Sequence, residues 1–235
     1  MDVYGKALLD YSLGETGKEL VSHSSLGESE AVPPAYFFRG FRDMPKLEQR
    51  ALELARGSVL DIGCGAGSHS LYLQGKGLEV TALDSSPDAI RVATDRGVSR
   101  AVCADIADFR VGDFQTLLLL MNGVGLAGTR ANLAPFLRHL KGLLAYDGQI
   151  LLDSSDIIYM FDADSDGGVW VPGDREYYGE VTYWWEYGGK RSKPFPWLFA
   201  DFDTLGEYAS IAGLRAELLR RGPHYDYLAR LTPAR

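Results

Sequence analysis

The stretch Val59-Leu60-Asp61-Ile62-Gly63-Cys64-Gly65-Ala66-Gly67 decides how the rest of the chain is interpreted. Its apolar start is typical of a buried strand, and a helical pattern opens at Ser68, directly after the third glycine. Glycine allows a backbone to turn sharply and to approach a ligand closely. In open α/β sheets, ligands bind beyond the carboxyl ends of the strands, where such strand-to-helix turns lie. The stretch therefore predicts a ligand-binding loop after the first strand of an α/β sheet.

Further apolar runs follow this glycine loop, and segments with helix signals separate them. Between two runs, Ser86-Pro87-Asp88 offers an N-cap, a first-turn proline and an acid suited to the helix dipole, and Gly97 offers a stop. Runs this continuously apolar suit strands that are buried on both faces of a parallel sheet. The predicted strands cover 58–62, 79–84, 100–105, 116–121 and 149–153, and a closing pair lies around 216–219 and 225–231.

This alternation of strands and helices predicts the α/β class with a doubly wound, seven-stranded, mostly parallel sheet of Rossmann-like type. The closing pair is expected to add an antiparallel edge strand. One helix is expected to start near Asn132, since a proline is tolerated in the first helical turn and Pro135 then falls there. Another is expected to follow a cap at Asp203.

Two segments fall outside the alternation. Residues 1–57 are predicted to form an N-terminal helical cap or lid, with a loop rich in Ser, Gly, Glu and Pro over 22–34. Residues 58–235 form the main domain, and about 154–200 is an insertion that begins with an acidic loop over 154–176. In the rest of the insertion, two strand-like runs on either side of a glycine pair predict a hairpin rich in aromatic residues. Ten of the 27 aromatic residues lie between positions 170 and 199, including all four tryptophans.

The composition disfavours several classes of protein. The 235 residues suit one domain or one and a half, and 46% hydrophobic with 24% charged residues is ordinary for a globular chain. The net charge of −8 repels phosphate backbones, so bulk nucleic-acid binding is not expected. Two cysteines and four scattered histidines predict neither a disulfide framework nor a metal site. No apolar run reaches the roughly 18 residues of a membrane helix. Because the first residues are also polar, we expect a cytoplasmic protein with no membrane contact.

The spacing of the glycines separates two kinds of nucleotide site. A dinucleotide fingerprint requires Gly-x-Gly-x-x-Gly, but Ser68 occupies the last of these positions and the third glycine comes one place earlier, at Gly67. An acid, Asp61, stands just before the loop. This arrangement favours a nucleoside ligand that has no pyrophosphate.

At these residues the sequence resembles the class I S-adenosylmethionine-dependent methyltransferases, whose signature loop has the pattern Asp-x-Gly-x-Gly-x-Gly. The likeness covers roughly residues 45–155 and includes acids after the next two strands, since Asp84 lies 19 residues after Gly65 and Asp105 precedes Ile106. The resemblance implies S-adenosylmethionine as cofactor and S-adenosylhomocysteine as product. It implies that Asp84 accepts both ribose hydroxyls, because a carboxylate only accepts and a diol donates twice.

The resemblance assigns further contacts to the cofactor. Asp105 is expected to accept the adenine amino group, and the N–H of Ile106 to meet a ring nitrogen. Met121 and Asn122 are expected beside the methionine part, and Arg39 is expected to pair with its carboxylate. The stretches at 36–39, 119–123 and 152–156 are similar to an uncharacterised bacterial methyltransferase group. The predicted cofactor-binding residues are Asp61, Gly63, Cys64, Gly65, Asp84, Ser85, Asp105, Ile106, Met121, Asn122 and Arg39.

Purely structural roles compete with these assignments. The three glycines can form a tight turn and nothing more, and Asp84 can be a helix-capping acid. Asp105 can be one of the aspartates that are common at strand ends, and Asn122 can bond loop backbone only.

The methyl acceptor is expected against the aromatic insertion, because additions after the fifth strand often cover the active site in this family. Tyr177, Tyr178, Trp184 and Trp197 are candidates to line an apolar pocket or to surround a cation. His69, one turn into the helix after the glycine loop, can point into the cleft or away from it. The competing interpretation is that aromatic cross-strand pairs simply hold the hairpin together.

No catalytic base is assigned. Methyl transfer mainly needs the acceptor to be positioned, and a base helps only if the nucleophile arrives protonated. Asp153, Asp156, His69, Tyr177 and Tyr178 are candidates, but a structural role is favoured for each of them. After the predicted fourth strand, residues 122–125 lack the prolines and the aromatic of the Asn/Asp-Pro-Pro-aromatic motif of amide and adenine methylases, which argues against methylation of DNA bases.

The sequence thus predicts an enzyme that transfers a methyl group from S-adenosylmethionine to a small-molecule acceptor. A nicotinamide-dependent oxidoreductase is the first alternative, and Ser68 disfavours it. A non-catalytic nucleoside-binding module on the same fold is the second. Neither the acceptor nor the oligomeric state is specified by any residue.

Overall fold

A computed structural model describes residues 2–27, 29–161, 168–169 and 176–234. The helices are α1 (Val3–Ser12), α2 (Lys46–Leu54), α3 (Ser68–Gly75), α4 (Pro87–Asp95), α5 (Arg130–Lys141) and α6 (Phe202–Ile211). The strands are β1 (Leu20–Ser24), β2 (Ser29–Val32), β3 (Ser58–Ile62), β4 (Glu79–Asp84), β5 (Ala101–Cys103), β6 (Phe114–Leu119), β7 (Leu144–Ser155), β8 (Glu180–Tyr187), β9 (Lys190–Arg191), β10 (Phe195–Leu198), β11 (Leu214–Arg221) and β12 (Asp226–Pro233).

The large sheet has seven strands in the order β11-β12-β7-β6-β3-β4-β5. Strands β7, β6, β3, β4 and β5 are parallel, and the closing hairpin adds β12 antiparallel to β7, with β11 outermost. The predicted doubly wound, mostly parallel sheet is therefore confirmed. Because β3 is flanked by β4 on one side and by β6 on the other, the strand order reverses at β3, and a ligand crevice is expected at its carboxyl end.

Both faces of the large sheet are covered, which explains why its strands are continuously apolar. Successive side chains point to opposite faces. Leu117 and Leu119 of β6 pack in one core cluster with α5 residues such as Leu137. Leu118, between them, packs in another cluster with Leu47 of α2 and with α3.

A second sheet was not predicted. Its order is β10-β8-β1-β2, with β9 paired to β8. The loop expected over 22–34 is wrong, because this segment contains most of the hairpin of β1 and β2. Its Ser and Gly content marks the turn, whereas β1 is stabilised by hydrogen bonds to β8, more than 150 residues further along the chain, and β2 pairs with β1. The N-terminal segment and the aromatic hairpin thus share one sheet.

Several predicted element ends need correction. Helix α5 begins at Arg130 after the N-cap Thr129, so Pro135 lies in its second turn. Helix α6 is capped by Asp201, whose Oδ1 accepts from Thr204 N, and not by Asp203. Of the predicted acidic loop over 154–176, residues 154 and 155 end β7, while 162–167 and 170–175 lie outside the described residues.

Candidate active site

The glycine loop joins β3 to α3, as predicted. Gly63, Gly65 and Gly67 have φ angles of 76°, 52° and 79°, which residues with side chains rarely adopt. Gly63 N donates to Leu83 O over 2.8 Å, which joins the loop to β4. A Cβ at Gly67 would also lie 2.8 Å from Val98 Cγ2, so this position needs glycine for two reasons. The loop is therefore held in one shape at the point where the strand order reverses.

Asp84 ends β4 and fastens the glycine loop. Its Oδ2 accepts from Gly65 N and its Oδ1 from Ser86 N, both over 2.9 Å. Burial raises the pKa of this carboxyl, although the two backbone N–H groups oppose the rise. Helix α4 is capped by the Ser86 side chain, not by Asp84. Because a carboxylate has about four lone-pair sites, Asp84 keeps acceptor capacity for a ligand diol.

Asp105 lies two residues beyond β5, not at its end as predicted, because the strand stops at Cys103. It is exposed, and its Oδ1 accepts from Ala107 N over 2.8 Å. Ile106 is buried, and its carbonyl accepts from His139 Nε2 over 2.7 Å. Both residues line the same cavity as Asp84.

Met121 and Asn122 form a strained turn after β6. Both have positive φ angles, of 65° and 60°, and such strain is concentrated at functional sites. Asp153 of β7 accepts from Met121 N and Gly123 N over 3.2 and 3.1 Å, and burial raises the pKa of its carboxyl to about 7. Asn122 Nδ2 donates to Leu198 O over 3.1 Å. Asp153 therefore shapes the turn, as its structural interpretation proposed.

A cavity of about 1190 Å³ opens beyond these strand ends. Sites for one small molecule usually measure roughly 300–1,000 Å³, so this cavity has room for a second ligand. The predicted cofactor residues that line it are Gly63, Asp84, Ser85, Asp105, Ile106, Met121 and Asn122.

The second sheet closes the opposite side of the cavity. Tyr183 and Trp185 of β8 face it together, because side chains two residues apart share a face. Trp184, between them, lies on the other face, where its ring stacks on His23 with the centroids 5.4 Å apart. Among the predicted aromatic candidates, only Trp197 therefore lines the cavity in the described part of the chain. The aromatic residues that line the cavity are Tyr4, Tyr36, Phe37, Tyr183, Trp185, Phe195, Trp197 and Phe199.

Trp197 packs directly on the turn after β6. A Cβ at Gly125 would lie 2.1 Å from Trp197 Cε2, so the ring occupies the space that any larger residue would need. Gly125 stands where the amide and adenine methylases carry the aromatic residue of their motif. In this protein the ring of Trp197, from the second sheet, occupies the space beside that position.

Four predicted cofactor residues lie outside the cavity lining, and three of them, Asp61, Cys64 and Gly65, belong to the glycine loop or the strand before it. Asp61 is buried and accepts from Ser70 Oγ over 2.6 Å, which ties β3 to α3, and burial raises its pKa. Cys64 is buried, and burial likewise raises the pKa of its thiol. A Cβ at Gly65 would lie 2.7 Å from the Tyr4 hydroxyl, so Tyr4 covers this glycine. In the structure these residues shape the loop, and their contact with a cofactor stays a prediction.

Arg39 and His69 are both bound to Glu48 of α2, a residue that the sequence did not single out. Arg39 Nη2 lies 2.6 Å from Glu48 Oε1, and His69 Nε2 lies 2.9 Å from Glu48 Oε2. Burial alone would raise the pKa of Glu48, but His69 and Arg39 hold it below its usual value. Burial opposes charge on His69, yet Glu48 and Asp61 raise its pKa. His69 is thus directed away from the cavity, contrary to one of its two predicted orientations.

Tyr177 and Tyr178 also lie outside the cavity lining. The Tyr177 hydroxyl donates to Asp201 Oδ2 over 2.6 Å, and burial raises its pKa to about 12. The Tyr178 hydroxyl donates to Asp156 Oδ1 over 2.9 Å. The Tyr178 hydroxyl also lies 3.2 Å from Asp201 Oδ2, so both tyrosines contact the N-cap of α6, and their predicted place in a substrate pocket stays a prediction.

Two kinds of feature are absent from the described residues. No helix there is both long and apolar enough to cross a membrane. No group of three or more His, Cys, Asp or Glu side chains in the described ranges is arranged to hold a metal ion.

A glycine loop at the reversal of the strand order, with acids after the next two strands, defines a nucleoside-binding α/β protein of the class I methyltransferase type. A family model described as a methyltransferase domain matches residues 59–148. The solved structure of an S-adenosylmethionine-dependent methyltransferase from Bacteroides fragilis, in complex with S-adenosyl-L-homocysteine, is 42% identical. It covers 100% of this chain and 95% of its own, with a TM-score of 0.92. The chain therefore belongs to the S-adenosylmethionine-dependent methyltransferases, and the predicted fold, enzyme class and cofactor are confirmed.

Curated relatives match a shorter part of the chain. Trans-aconitate 2-methyltransferase of Mycobacterium tuberculosis is 38% identical over 84 residues, which are 33% of this chain and 31% of that protein. Ubiquinone biosynthesis O-methyltransferase of Xanthomonas oryzae is 36% identical over 72 residues, 31% of this chain and 29% of its own. The chain thus spans about a third of the length of these curated relatives.

Proposed function

We propose that this protein transfers the methyl group of S-adenosylmethionine to a small molecule held between the two sheets. The observation that carries the proposal is one continuous cavity of about 1190 Å³, with cofactor-loop residues on one side and aromatic side chains on the other. Its volume exceeds what one small ligand usually needs. The curated relatives are named for small-molecule acceptors, which supports the same class of substrate here.

The cofactor is assigned to the side formed by the large sheet. Asp84 would accept from the ribose diol, Asp105 and Ile106 would bind the adenine, and Met121 would lie beside the methionine part. Arg39 Nε is buried and has no hydrogen-bond partner within the described residues, but Arg39 is not among the lining residues, so its pairing with the methionine carboxylate stays a prediction. When bound, S-adenosylmethionine supplies a methyl group on a positively charged sulfur.

The protein itself contributes by positioning the methyl acceptor relative to the cofactor. The turn at Met121 and Asn122 is held from two directions, by Asp153 and by the backbone of β10, so it links the cofactor side to the aromatic side. A fixed distance between two bound reactants lowers the barrier without a catalytic base. The predicted base candidates Asp153, Asp156, His69, Tyr177 and Tyr178 are all outside the cavity lining, so we assign no base.

Calorimetric titration tests the cofactor, and labelled methyl transfer tests the reaction. We expect S-adenosylhomocysteine to bind and NAD not to bind; the reverse would favour the oxidoreductase. With S-adenosylmethionine labelled on its methyl group, the label should enter a small-metabolite fraction of a cell extract. Label found only in its protein or nucleic-acid fraction would contradict the proposed acceptor class. Cofactor binding with no label transferred to any fraction would favour the non-catalytic module.

A further inference from the structure

The described residues that line the cavity include acidic side chains but no basic ones. Asp2, Glu30, Asp84 and Asp105 line the cavity, whereas none of its described lining residues is Lys, Arg or His. Arg39 stacks on Tyr36 with its Cζ 3.8 Å from the ring centroid, but it is ion-paired with Glu48 and is not among the lining residues. A ligand anion on the acceptor side would therefore meet Glu30, with no cation among the described lining residues to offset its desolvation.

The acceptor side of the cavity is the side formed by β1, β2, β8 and β10 of the second sheet. Glu30, on β2, is the carboxylate on this side. In the second sheet Ser22 pairs with Glu30 on one side and with Trp185 on the other, so the three side chains form one row on one face. Strands lie about 4.8 Å apart, which puts Glu30 roughly 10 Å from Trp185. Glu30 is exposed, so it stands at the mouth of the cavity, and its carboxylate makes no ion pair within the described residues.

The aromatic faces favour the same sign of charge. Tyr183 and Phe195 are directly opposite in register, and Phe195 meets Trp197 edge to face with the ring centroids 6.0 Å apart. Aromatic faces attract cations, and the attraction strengthens when the cation is desolvated. The aromatic side chains of the second sheet and the Glu30 carboxylate at the cavity mouth therefore both favour a positively charged ligand over a negatively charged one.

We propose that the methyl acceptor is an amine without a carboxylate or phosphate group, and that Glu30 recognises its charge at the cavity mouth. This rests on the proposed function, and it adds the chemical class of the acceptor. The amine loses its proton to water, and its nitrogen lone pair forms the N–C bond as the C–S bond breaks. The sulfonium becomes a thioether, and the product is an ammonium that releases its extra proton to water.

The charge on the reacting atoms supports this choice. With a neutral amine, one positive charge moves from sulfur to nitrogen and stays in a cavity that favours cations throughout. With a carboxylate acceptor, the positive charge would be cancelled by an anion that this cavity disfavours. The carboxylates and aromatic faces therefore keep their interaction with the positive charge throughout the first reaction, whereas in the second they lose it as the charge is cancelled.

The test uses protein saturated with S-adenosylhomocysteine and three probes of similar size: 2-phenylethylamine, 2-phenylethanol and 3-phenylpropanoate. Binding is measured by calorimetry. We expect the amine to bind at least about tenfold more tightly than the carboxylate and more tightly than the alcohol. Glu30→Gln should weaken amine binding about fivefold and leave the alcohol unchanged. Glu53→Gln, an exposed acid on α2, is the matched control and should change neither.

The proposal is overturned if the carboxylate or the alcohol binds as tightly as the amine, if no amine binds, or if Glu30→Gln leaves amine binding unchanged. The titration of S-adenosylhomocysteine in the same samples reports on the proposed function separately. If that cofactor binds and the amine preference is absent, only the acceptor class fails. If the cofactor itself does not bind, the proposed function fails with it.

Discussion

The two sides of the cavity are built in different ways. On the cofactor side, the functional residues follow successive strands of one parallel sheet, so Gly63, Asp84 and Asp105 meet because parallel strands end at one edge. On the acceptor side, the wall needs β1 and β2 from the N-terminal segment and β8 and β10 from the insertion. The first side depends on local loops of a regular fold, and the second on pairing between distant segments.

This difference predicts that the two sides respond separately to substitution. Changes at the strand ends should alter cofactor affinity, while changes in the second sheet should alter the acceptor pocket only. The turn at residues 121–125 joins both sides, because it receives Asp153 from the large sheet and Trp197 from the second sheet. Substitutions in that turn should be the exception.

Replacing Asp84 tests the cofactor side and has the largest expected effect. Asp84→Ala removes the acceptor for the ribose diol and the bond to Gly65 N, so S-adenosylhomocysteine should bind with a loss of roughly 1–3 kcal/mol, about 5- to 150-fold. Calorimetry measures the change. Asp95→Ala, an exposed acid at the end of α4, is the control and should bind normally. An unchanged affinity for Asp84→Ala would remove this residue from the cofactor site.

Gly125→Ala tests the turn at residues 121–125, which contacts both sides of the cavity. The added Cβ would meet the Trp197 ring at 2.1 Å, so the ring or the turn must move. We expect unfolding to become easier by about 1–3 kcal/mol, as overpacking usually costs. In Gly206→Ala, within α6, the new Cβ meets nothing within 4 Å, and helix propensity should stabilise the protein by roughly 0.5–1 kcal/mol. Effects of the same sign in urea unfolding would contradict the packing argument.

The buried His69 predicts a pH dependence of stability. Because the folded pKa of His69 is raised, its stabilising protonation is complete below its unfolded pKa of about 6.5 and is lost as the pH rises through the folded value. Glu48, with a lowered pKa, acts oppositely and loses its contribution only in acid. The folded pKa of Asp153 is raised to about 7, so the stability that its protonation provides is lost as the pH rises from roughly 4 to 7.

We therefore expect the melting temperature of the wild type to fall more steeply than that of His69→Gln as the pH rises above about 6.5. His224→Gln, which changes an exposed histidine, should keep the wild-type slope. Parallel curves for all three proteins would show that His69 is neutral in the folded state.

Phe195→Ala tests the acceptor side and should have the smallest effect on the cofactor. The side chain is half-buried and contacts Tyr183 and Trp197, and none of the predicted cofactor residues is among its ring partners. We expect the affinity for S-adenosylhomocysteine to stay within about twofold of the wild type, because sites without shared partners are usually independent. A tenfold loss would mean that the two sides are coupled through the second sheet.

Prediction from sequence succeeded where a residue's place follows from its own strand. The order of β3 to β7, the glycine loop and the positions of Asp84, Asp105 and Met121 at the cavity all follow from apolar runs and turn residues. It did not anticipate the contacts of Tyr177, Tyr178 and His69, because each bonds an acid that is more than 20 residues away in the chain. It also missed Trp185, although its spacing of two from Tyr183 on a strand shows that the two share a face.

The sequence by itself determined the large sheet, the enzyme class and the cofactor, since these depend on short segments whose spacing is set by local backbone geometry. The tertiary structure alone decided which aromatic residues line the cavity and that Glu30 lines it with them. That choice depends on the register between β1 and β8, which bring Ser22 and Trp185 together across more than 160 residues of chain. Register is set by hydrogen bonds and packing across the whole sheet, and no single segment contains this information.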